Sequence, residues 1–165
     1  MSFGFLVAGF LATTNAGRVA LAREASGPRP ATVALALAAG AVLVVVATVF
    51  ADDSLDALSI SPESFRIAAG IVLAFTALRT LLSPAAAAGP FAAVLITPEL
   101  ACLGISFGAD EPLGKTLGAG AVAMAVAAIV AATRVPVPAA LTAQLLAALQ
   151  VVVAVALAIS GMRDV

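Results

Sequence analysis

The chain alternates between long apolar runs and short polar or charged segments. About 20 mostly apolar residues are enough for a helix to cross the hydrocarbon core of a bilayer. The pattern therefore predicts six transmembrane helices. The predicted spans are residues 1–17 with an apolar continuation to residue 22, 31–51, 64–82, 90–108, 116–133 and 139–162. The predicted fold class is all-α, a polytopic membrane bundle forming a single membrane domain over residues 1–165.

Composition agrees with this pattern and excludes several classes of function. Of the 165 residues, 63% are hydrophobic and 10% are charged, whereas a soluble domain is usually about 25% charged. With no His and one Cys, a Ser-His-Asp triad, a His-built metal site and a disulfide within the chain are impossible. The net charge of −1 offers no basic face for nucleic acid. We therefore expect a membrane protein that is not an enzyme, with no catalytic residues, metal or cofactor.

The basic residues in the loops predict an orientation. Lys and Arg are biased towards the cytoplasmic side, and acidic residues contribute little. Five of the eight basic residues follow the odd-numbered helices, and three follow the even-numbered ones. Both termini are therefore predicted to lie outside. The first group is Arg18, Arg23, Arg29, Arg79 and Arg134, and the second is Arg66, Lys115 and Arg163.

The second loop is acidic and allows two interpretations. Asp52, Asp53 and Asp56 have a spacing that could hold a divalent cation. An ordinary solvated acidic loop is the alternative and the more common case. Residues 54–60 either lie flat on the outer surface as an apolar-sided segment or belong to this plain loop. A re-entrant or kinked connection is predicted over residues 83–90.

The two halves of the chain resemble each other at an offset of 84 residues. At this offset the apolar runs of residues 1–83 superimpose on those of residues 84–165. Three helices in each half insert with opposite topology, which predicts an inverted 3+3 repeat. In such folds the substrate site lies near the midplane, where one helix of each half is broken. Matching interruptions are predicted in the first helix, at residues 13–17, and in the fourth, at residues 97–99.

These interruptions contain the candidate substrate- or ion-binding residues. A broken helix exposes N–H groups that attract anions and carbonyl groups that attract cations. Gly17 allows close backbone approach, and Pro98 removes a helical hydrogen bond. Because burying the ionised Glu99 in mid-span is costly, we expect it to bind a proton or hold a cation. The candidates are Thr13, Thr14, Asn15, Gly17, Thr97, Pro98 and Glu99.

Each candidate also has a structural alternative. Thr hydroxyls in membrane helices commonly bond to the preceding turn or bridge to a neighbouring helix. Glu99 could form a purely structural ion pair with Arg18 or Arg79. Arg66 and Arg79 are further candidate charge partners, or anchors at the membrane interface. Cys102 is predicted to be a small apolar filler.

Small residues recur every four positions along the fifth predicted helix. Such spacing lets helix backbones approach closely in lipid. The pattern fits either the inside of the bundle or a dimer face, so a homo-oligomer or a partner in a membrane complex stays an open alternative. The residues are Gly114, Gly118, Ala119, Ala123, Ala127 and Ala131.

The third predicted helix carries a family resemblance. Residues 60–78 contain Phe65-Arg66-Ile67-Ala68-Ala69-Gly70 and resemble the third-helix signature of MarC-type integral membrane proteins, typically Phe-Arg-Ile-Ala-Gly-Gly followed by apolar residues. Residues 13–18 lie where that family has an Asn-Pro-x-Gly motif, and residues 95–100 lie where it has Gly-Pro-Gly. Here Ala follows the Asn of the first motif, and the second motif keeps its Pro without either flanking Gly.

The resemblance implies a short, divergent, six-helix member of the LysE-like exporter superfamily in a bacterial cytoplasmic membrane. We therefore predict a small secondary transporter or exporter of an unidentified small molecule or ion, working by alternating access between helices 1 and 4. In this mechanism Glu99 binds a proton or cation, while Asn15 and the half-helix ends bind substrate. The alternative is a non-transporting subunit or scaffold of a larger envelope complex, which the lost motif residues favour.

Overall fold

The computed structural model describes residues 1–27, 30–84, 95–133 and 138–163, and its regular elements there are all α-helices. This confirms the all-α prediction. The helices are α1 (Phe3–Thr14), α2 (Ala16–Ser26), α3 (Pro30–Val49), α4 (Ala51–Leu58), α5 (Pro62–Leu82), α6 (Pro98–Asp110), α7 (Leu113–Ala132) and α8 (Ala139–Arg163).

Five helical segments within the described ranges are long and apolar enough to cross a membrane. They coincide with the first, second, third, fifth and sixth predicted spans, which is consistent with a helical membrane bundle. The fourth predicted span and the predicted connection over 83–90 fall partly on residues 85–94, which lie outside the described residues; α6 forms the later part of that span. The segments are Phe3–Ala25, Ala31–Val49, Pro62–Leu82, Leu113–Ala132 and Ala139–Arg163.

Large apolar side chains cover the outside of the bundle, and small ones fill much of its inside. Leu35 and Phe75 are each 72% exposed, and Ile71 is 65% exposed. In contrast, many of the buried hydrophobic residues are alanines. Because lipid tails are as apolar as these side chains, large exposed residues carry no penalty there, whereas small buried residues let helices pack closely.

The second loop folds into the short helix α4. This helix buries Ala51 and Leu55 and packs against α6, while Asp52, Asp53 and Asp56 point outwards and are exposed. Across the part of the chain that the structure describes, no three acidic or thiol groups come together as a metal site. Of the two interpretations predicted for the acids, the structure therefore agrees with solvated side chains. The segment over residues 54–60 is helical as far as Leu58.

The small residues of α7 face the interior of the bundle. Ala119, Ala123 and Ala127 are at most 1% exposed, and Ala131 is 5% exposed. The ladder therefore packs within this chain. Around Gly114, however, a Cβ atom would find nothing within 4 Å. Gly114 and Gly118, which start the predicted pattern, therefore do not bring the backbone of α7 close to another helix.

Two other glycines, which the sequence did not mark as candidates, bring α6 close to a neighbouring helix. A Cβ built on Gly108 would lie 2.6 Å from the carbonyl oxygen of Thr48, and one on Gly104 would lie 2.8 Å from the Cβ of Ala47. Both contacts are with α3. The spacing Gly-x-x-x-Gly places the two glycines on one face of α6, which allows the close contact.

The two broken helices lie side by side through an aromatic contact. The ring of Phe107 on α6 packs edge-on against Phe5 and Phe10 of α1, with ring centroids 6.0 and 5.7 Å apart. Gly9 leaves room for this ring, because a Cβ there would lie 3.1 Å from it. These contacts belong to the main hydrophobic core, which also includes Leu73 of α5.

Helices from the first half of the chain pack mainly on helices from the second half. α5 packs along α8, and α3 packs on α7. α1 packs on α7 and on α8, while α6 packs on α3 and on α5. The second segment of the first span, α2, contacts both α8 and α7.

Candidate functional site

The first span is broken at Asn15, as predicted. α1 ends and α2 begins at this residue, whose φ of 41° and ψ of 82° are left-handed. Asn adopts this conformation more readily than most non-glycine residues. Its side-chain oxygen accepts the backbone N–H of Arg18 at 3.1 Å and so caps α2. Its amide nitrogen donates to the carbonyl oxygen of Ala143 on α8 at 3.0 Å.

Gly17 brings the start of α2 onto the backbone of α8. A Cβ atom at this position would clash with the backbone nitrogen of Ala143 and lie 2.7 Å from the carbonyl carbon of Thr142. The predicted role of Gly17 in close backbone approach is thus seen, and the group approached is another helix of the same chain.

The two threonines before the break follow their structural alternative. The hydroxyl of Thr13 donates to the carbonyl of Gly9, and that of Thr14 donates to the carbonyl of Phe10, each at 2.8 Å. Both side chains are buried. Their hydroxyl groups are therefore used in hydrogen bonds to backbone carbonyls of α1 itself.

A second break lies at Ile96–Thr97, between the helical residue Leu95 and the start of α6. Thr97 is extended, and its hydroxyl oxygen accepts the N–H of Leu100 at 3.3 Å as the N-cap of α6. Pro98 opens the helix rather than removing one of its hydrogen bonds, which corrects the prediction. At the first helical position an N–H would have no partner within the helix in any case.

Glu99 lies in the first turn of α6 and is 4% exposed. Its carboxylate oxygen Oε1 is 3.6 Å from Nη1 of Arg18 on α2. Of the two charge partners left open by the sequence, the structure brings Arg18 to Glu99. This buried ion pair joins the helix that follows the first break to the helix that follows the second.

The other two candidate charge partners lie elsewhere. Arg66 is 8% exposed, and its Nε atom is 3.0 Å from a carboxylate oxygen of Asp110, at the far end of α6. Its Nη2 atom is 3.9 Å from Glu63. Arg79 is exposed in the last turn of α5. Both ends of α6 are thus paired with arginines of the first half.

Gln150 is a buried polar residue that the sequence analysis did not include among the candidates. It is 1% exposed, and its amide nitrogen donates to the carbonyl of Leu73 at 3.2 Å and to the hydroxyl of Thr76 at 3.0 Å. The signal was an amide within a run that is otherwise apolar. Intramembrane polar side chains are rare enough to mark such a position.

Comparisons of the chain with protein-family models, curated proteins and solved structures each give no match. The resemblance to MarC-type proteins stays a prediction. Support for a function accordingly comes from the packing of the helices and from the Arg18–Glu99 pair.

Proposed function

We propose that this chain is a small secondary transporter of the inverted-repeat type, in which the Arg18–Glu99 pair links the two halves and separates when the site opens. The observation that carries the proposal is this ion pair, buried at 11% and 5% side-chain exposure beside the two helix breaks. A buried charge pair connecting two halves that move apart provides a natural place for ion coupling.

The pairing of helices supports the inverted repeat. At the offset of 84, α2 falls on α6, so the contact of α2 with α7 corresponds to that of α6 with α3, and the contact of α2 with α8 corresponds to that of α6 with α5. The α3–α7 and α5–α8 contacts map onto themselves. Two halves related by a two-fold axis must have this correspondence.

Two residue contacts support the offset of 84 in particular. A Cβ on Gly70 would lie 2.7 Å from the carbonyl oxygen of Ala154, and one on Gly40 would lie 3.0 Å from the Cε atom of Met124. The residues of each pair are 84 positions apart. In a protein with such a repeat, a residue touches its own repeat equivalent only close to the symmetry axis. These two contacts are therefore what an axis passing between α5 and α8 and between α3 and α7 would produce.

The inward faces of α5 and α8 match at the same offset. Five buried positions of α5 correspond to five buried positions of α8. The pairs are Arg66 with Gln150, Ala69 with Val153, Gly70 with Ala154, Leu73 with Leu157, and Ala77 with Gly161. The two halves thus resemble each other in the burial of their side chains as well as in the contacts between their helices.

The two breaks lie within three positions of each other at this offset, and Asn15 and Glu99, which are 84 positions apart, are both buried. In the proposed alternating-access cycle, a proton or cation on Glu99 weakens its attraction to Arg18. Removing one partner of a buried pair leaves the other charge uncompensated, at a cost of about 3–5 kcal/mol. Protonation of Glu99 therefore favours movement of α2 away from α6, which exposes Asn15 and the half-helix ends to substrate.

Transport by purified protein in liposomes tests the proposal. A panel of amino acids, small organic acids and monovalent cations is screened by counterflow, and the Glu99→Gln and Asn15→Gly variants are compared with wild type. We expect each variant to lower the rate for the transported solute at least ten-fold. The control is Asp53→Asn, which changes an exposed acid of α4. Unchanged transport in both site variants would overturn the proposal.

The scaffold alternative is favoured by one observation. At the first break the Asn15 amide is bonded to Ala143 and Arg18, and the Thr13 and Thr14 hydroxyls bond to the preceding turn. A purely structural break would have the same arrangement. Purification under mild detergent, with mass spectrometry of the complex, distinguishes the two functions. A stoichiometric partner combined with inactivity on the whole panel would favour the scaffold.

A further inference from the structure

One face of α6 carries three polar side chains along its whole length. Glu99, Ser106 and Asp110 lie within an arc of about 40° when residues are placed at 100° intervals around the helix. Glu99 is 4% exposed and Ser106 is 2% exposed, while the Asp110 side chain is 19% exposed. We call these three residues the α6 polar stripe.

The two acids at the ends of the α6 polar stripe are both held by arginines of the first half. Glu99 pairs with Arg18 of α2 at 3.6 Å, and Asp110 pairs with Arg66 of α5 at 3.0 Å. α6 also packs directly on α5 and α1. The stripe therefore lies at the boundary between the two halves, where an alternating-access protein separates.

Ser106, between the two acids, has a buried hydroxyl with no hydrogen-bond partner among the described residues. Other hydroxyls of this bundle, such as those of Thr13 and Ser160, donate to carbonyls of the preceding turn. A buried hydroxyl without a partner costs about 1–3 kcal/mol, and bound water is the usual way in which proteins satisfy such groups. A water molecule bonded to the Ser106 oxygen would remove this cost.

The distances along α6 between Ser106 and the two acids determine what kind of molecule can connect them. At 1.5 Å per residue, Ser106 is about 10 Å from Glu99 and about 6 Å from Asp110 along the axis. These separations exceed a direct hydrogen bond and require a small number of bridging molecules. Water suits them because it donates and accepts at once.

We propose that the α6 polar stripe is a proton path, in which water molecules bonded to the Ser106 hydroxyl connect Asp110 with Glu99. This inference rests on the proposed function, because Glu99 is there the proton-binding group. A proton that enters beside Asp110 is passed on as each water accepts one proton and releases another. It ends as an O–H bond on the Glu99 carboxylate, and no other atom or electron pair is transferred. The path would load Glu99 from the Asp110 end of the bundle.

Cysteine labelling tests whether the stripe is hydrated and from which side. Cys102, the chain's one cysteine, is first replaced by Ala, and Ser106→Cys is then introduced, a change of similar size. A small cationic methanethiosulfonate, which reacts with thiolates in contact with water, is added to one side of reconstituted vesicles. The buried control is Ala123→Cys, at a 0% exposed position of α7, and the side marker is Lys115→Cys, at a side chain 48% exposed.

We expect the Ser106→Cys variant to react at least ten-fold faster than the Ala123→Cys variant, from the side on which the Lys115→Cys variant reacts. Labelling as slow as in the Ala123→Cys control, or from the opposite side alone, would overturn the proton path. The labelling needs no substrate. Its failure is therefore distinguishable from failure of the transport function, which the Glu99→Gln and Asn15→Gly rates test separately.

Discussion

The helices that follow the two breaks, α2 and α6, are started by different residues. At the first break the left-handed Asn15 caps α2 and also bonds to the carbonyl of Ala143 on α8. At the second break the extended Thr97 caps α6 through a bond within that helix. The charge beside the second break belongs to Glu99, and the first half balances it with Arg18.

The two breaks therefore differ in what they contribute: one fixes the packing of a helix, and the other carries a charge. The first break is held by neutral hydrogen bonds and by backbone contact, so it depends on the fit of α2 against α8. The second break carries a charge that protonation or a bound cation can change. We therefore expect changes at the first break to disturb the packing of α2 against α8, and changes of charge at the second break to disturb the link between the halves.

The largest effect on the comparison of the two breaks is expected when a methyl group is added at Gly17. In the Gly17→Ala variant the new Cβ meets the backbone of Ala143 and Thr142, which no side-chain rotation can relieve. α2 must then move away from α8, and we expect a loss of at least about 3 kcal/mol in the free energy of unfolding. Unfolding in detergent, followed by circular dichroism, measures it. Gly114→Ala is the control, because its Cβ has free space, and equal stability of the two variants would contradict the close packing.

Replacing Asn15 should have the next largest effect. Asn15→Ala loses the cap of α2 and leaves the buried carbonyl of Ala143 without its donor, and Ala is also strained in the left-handed conformation. We expect a loss of about 3 kcal/mol. Asn15→Gly loses the same two bonds without the strain and should be about 1 kcal/mol more stable than Asn15→Ala. Equal values would mean that the backbone conformation contributes nothing to the break.

At the second break, a double-mutant cycle measures the link between the halves. We expect Arg18→Met and Glu99→Gln each to lower the free energy of unfolding by about 3 kcal/mol, because each leaves the other group buried without its partner. The double variant should lose less than the sum, with a coupling energy of about 1–3 kcal/mol. Arg79→Met, at an exposed residue of α5, should change stability by less than about 0.5 kcal/mol. Additive losses would argue against the ion pair.

The sequence allowed both breaks to be predicted, because polar residues with Gly or Pro interrupt apolar runs and few other features do so in such a chain. It left the partner of Glu99 open between Arg18 and Arg79. Residue spacing gives the position of a side chain on its own helix, whereas the neighbouring helix is decided by packing. For the same reason the sequence did not predict the close contact that Gly104 and Gly108 make with α3. In a chain this rich in small residues, the four-residue spacing recurs where helices do not touch.

The smallest expected effect concerns the cap of α6 and completes the comparison. Thr97→Ala removes the acceptor of the Leu100 N–H and should cost about 1 kcal/mol, whereas Thr97→Ser keeps this oxygen and should lose less than half of that. The same unfolding measurement checks both, and equal losses would mean that the hydroxyl is not the cap. Because Asn15 caps α2 and also binds α8, Asn15→Gly should cost more than Thr97→Ala. That excess would measure what the bond to α8 adds to the first break, and its absence would make the two breaks energetically alike.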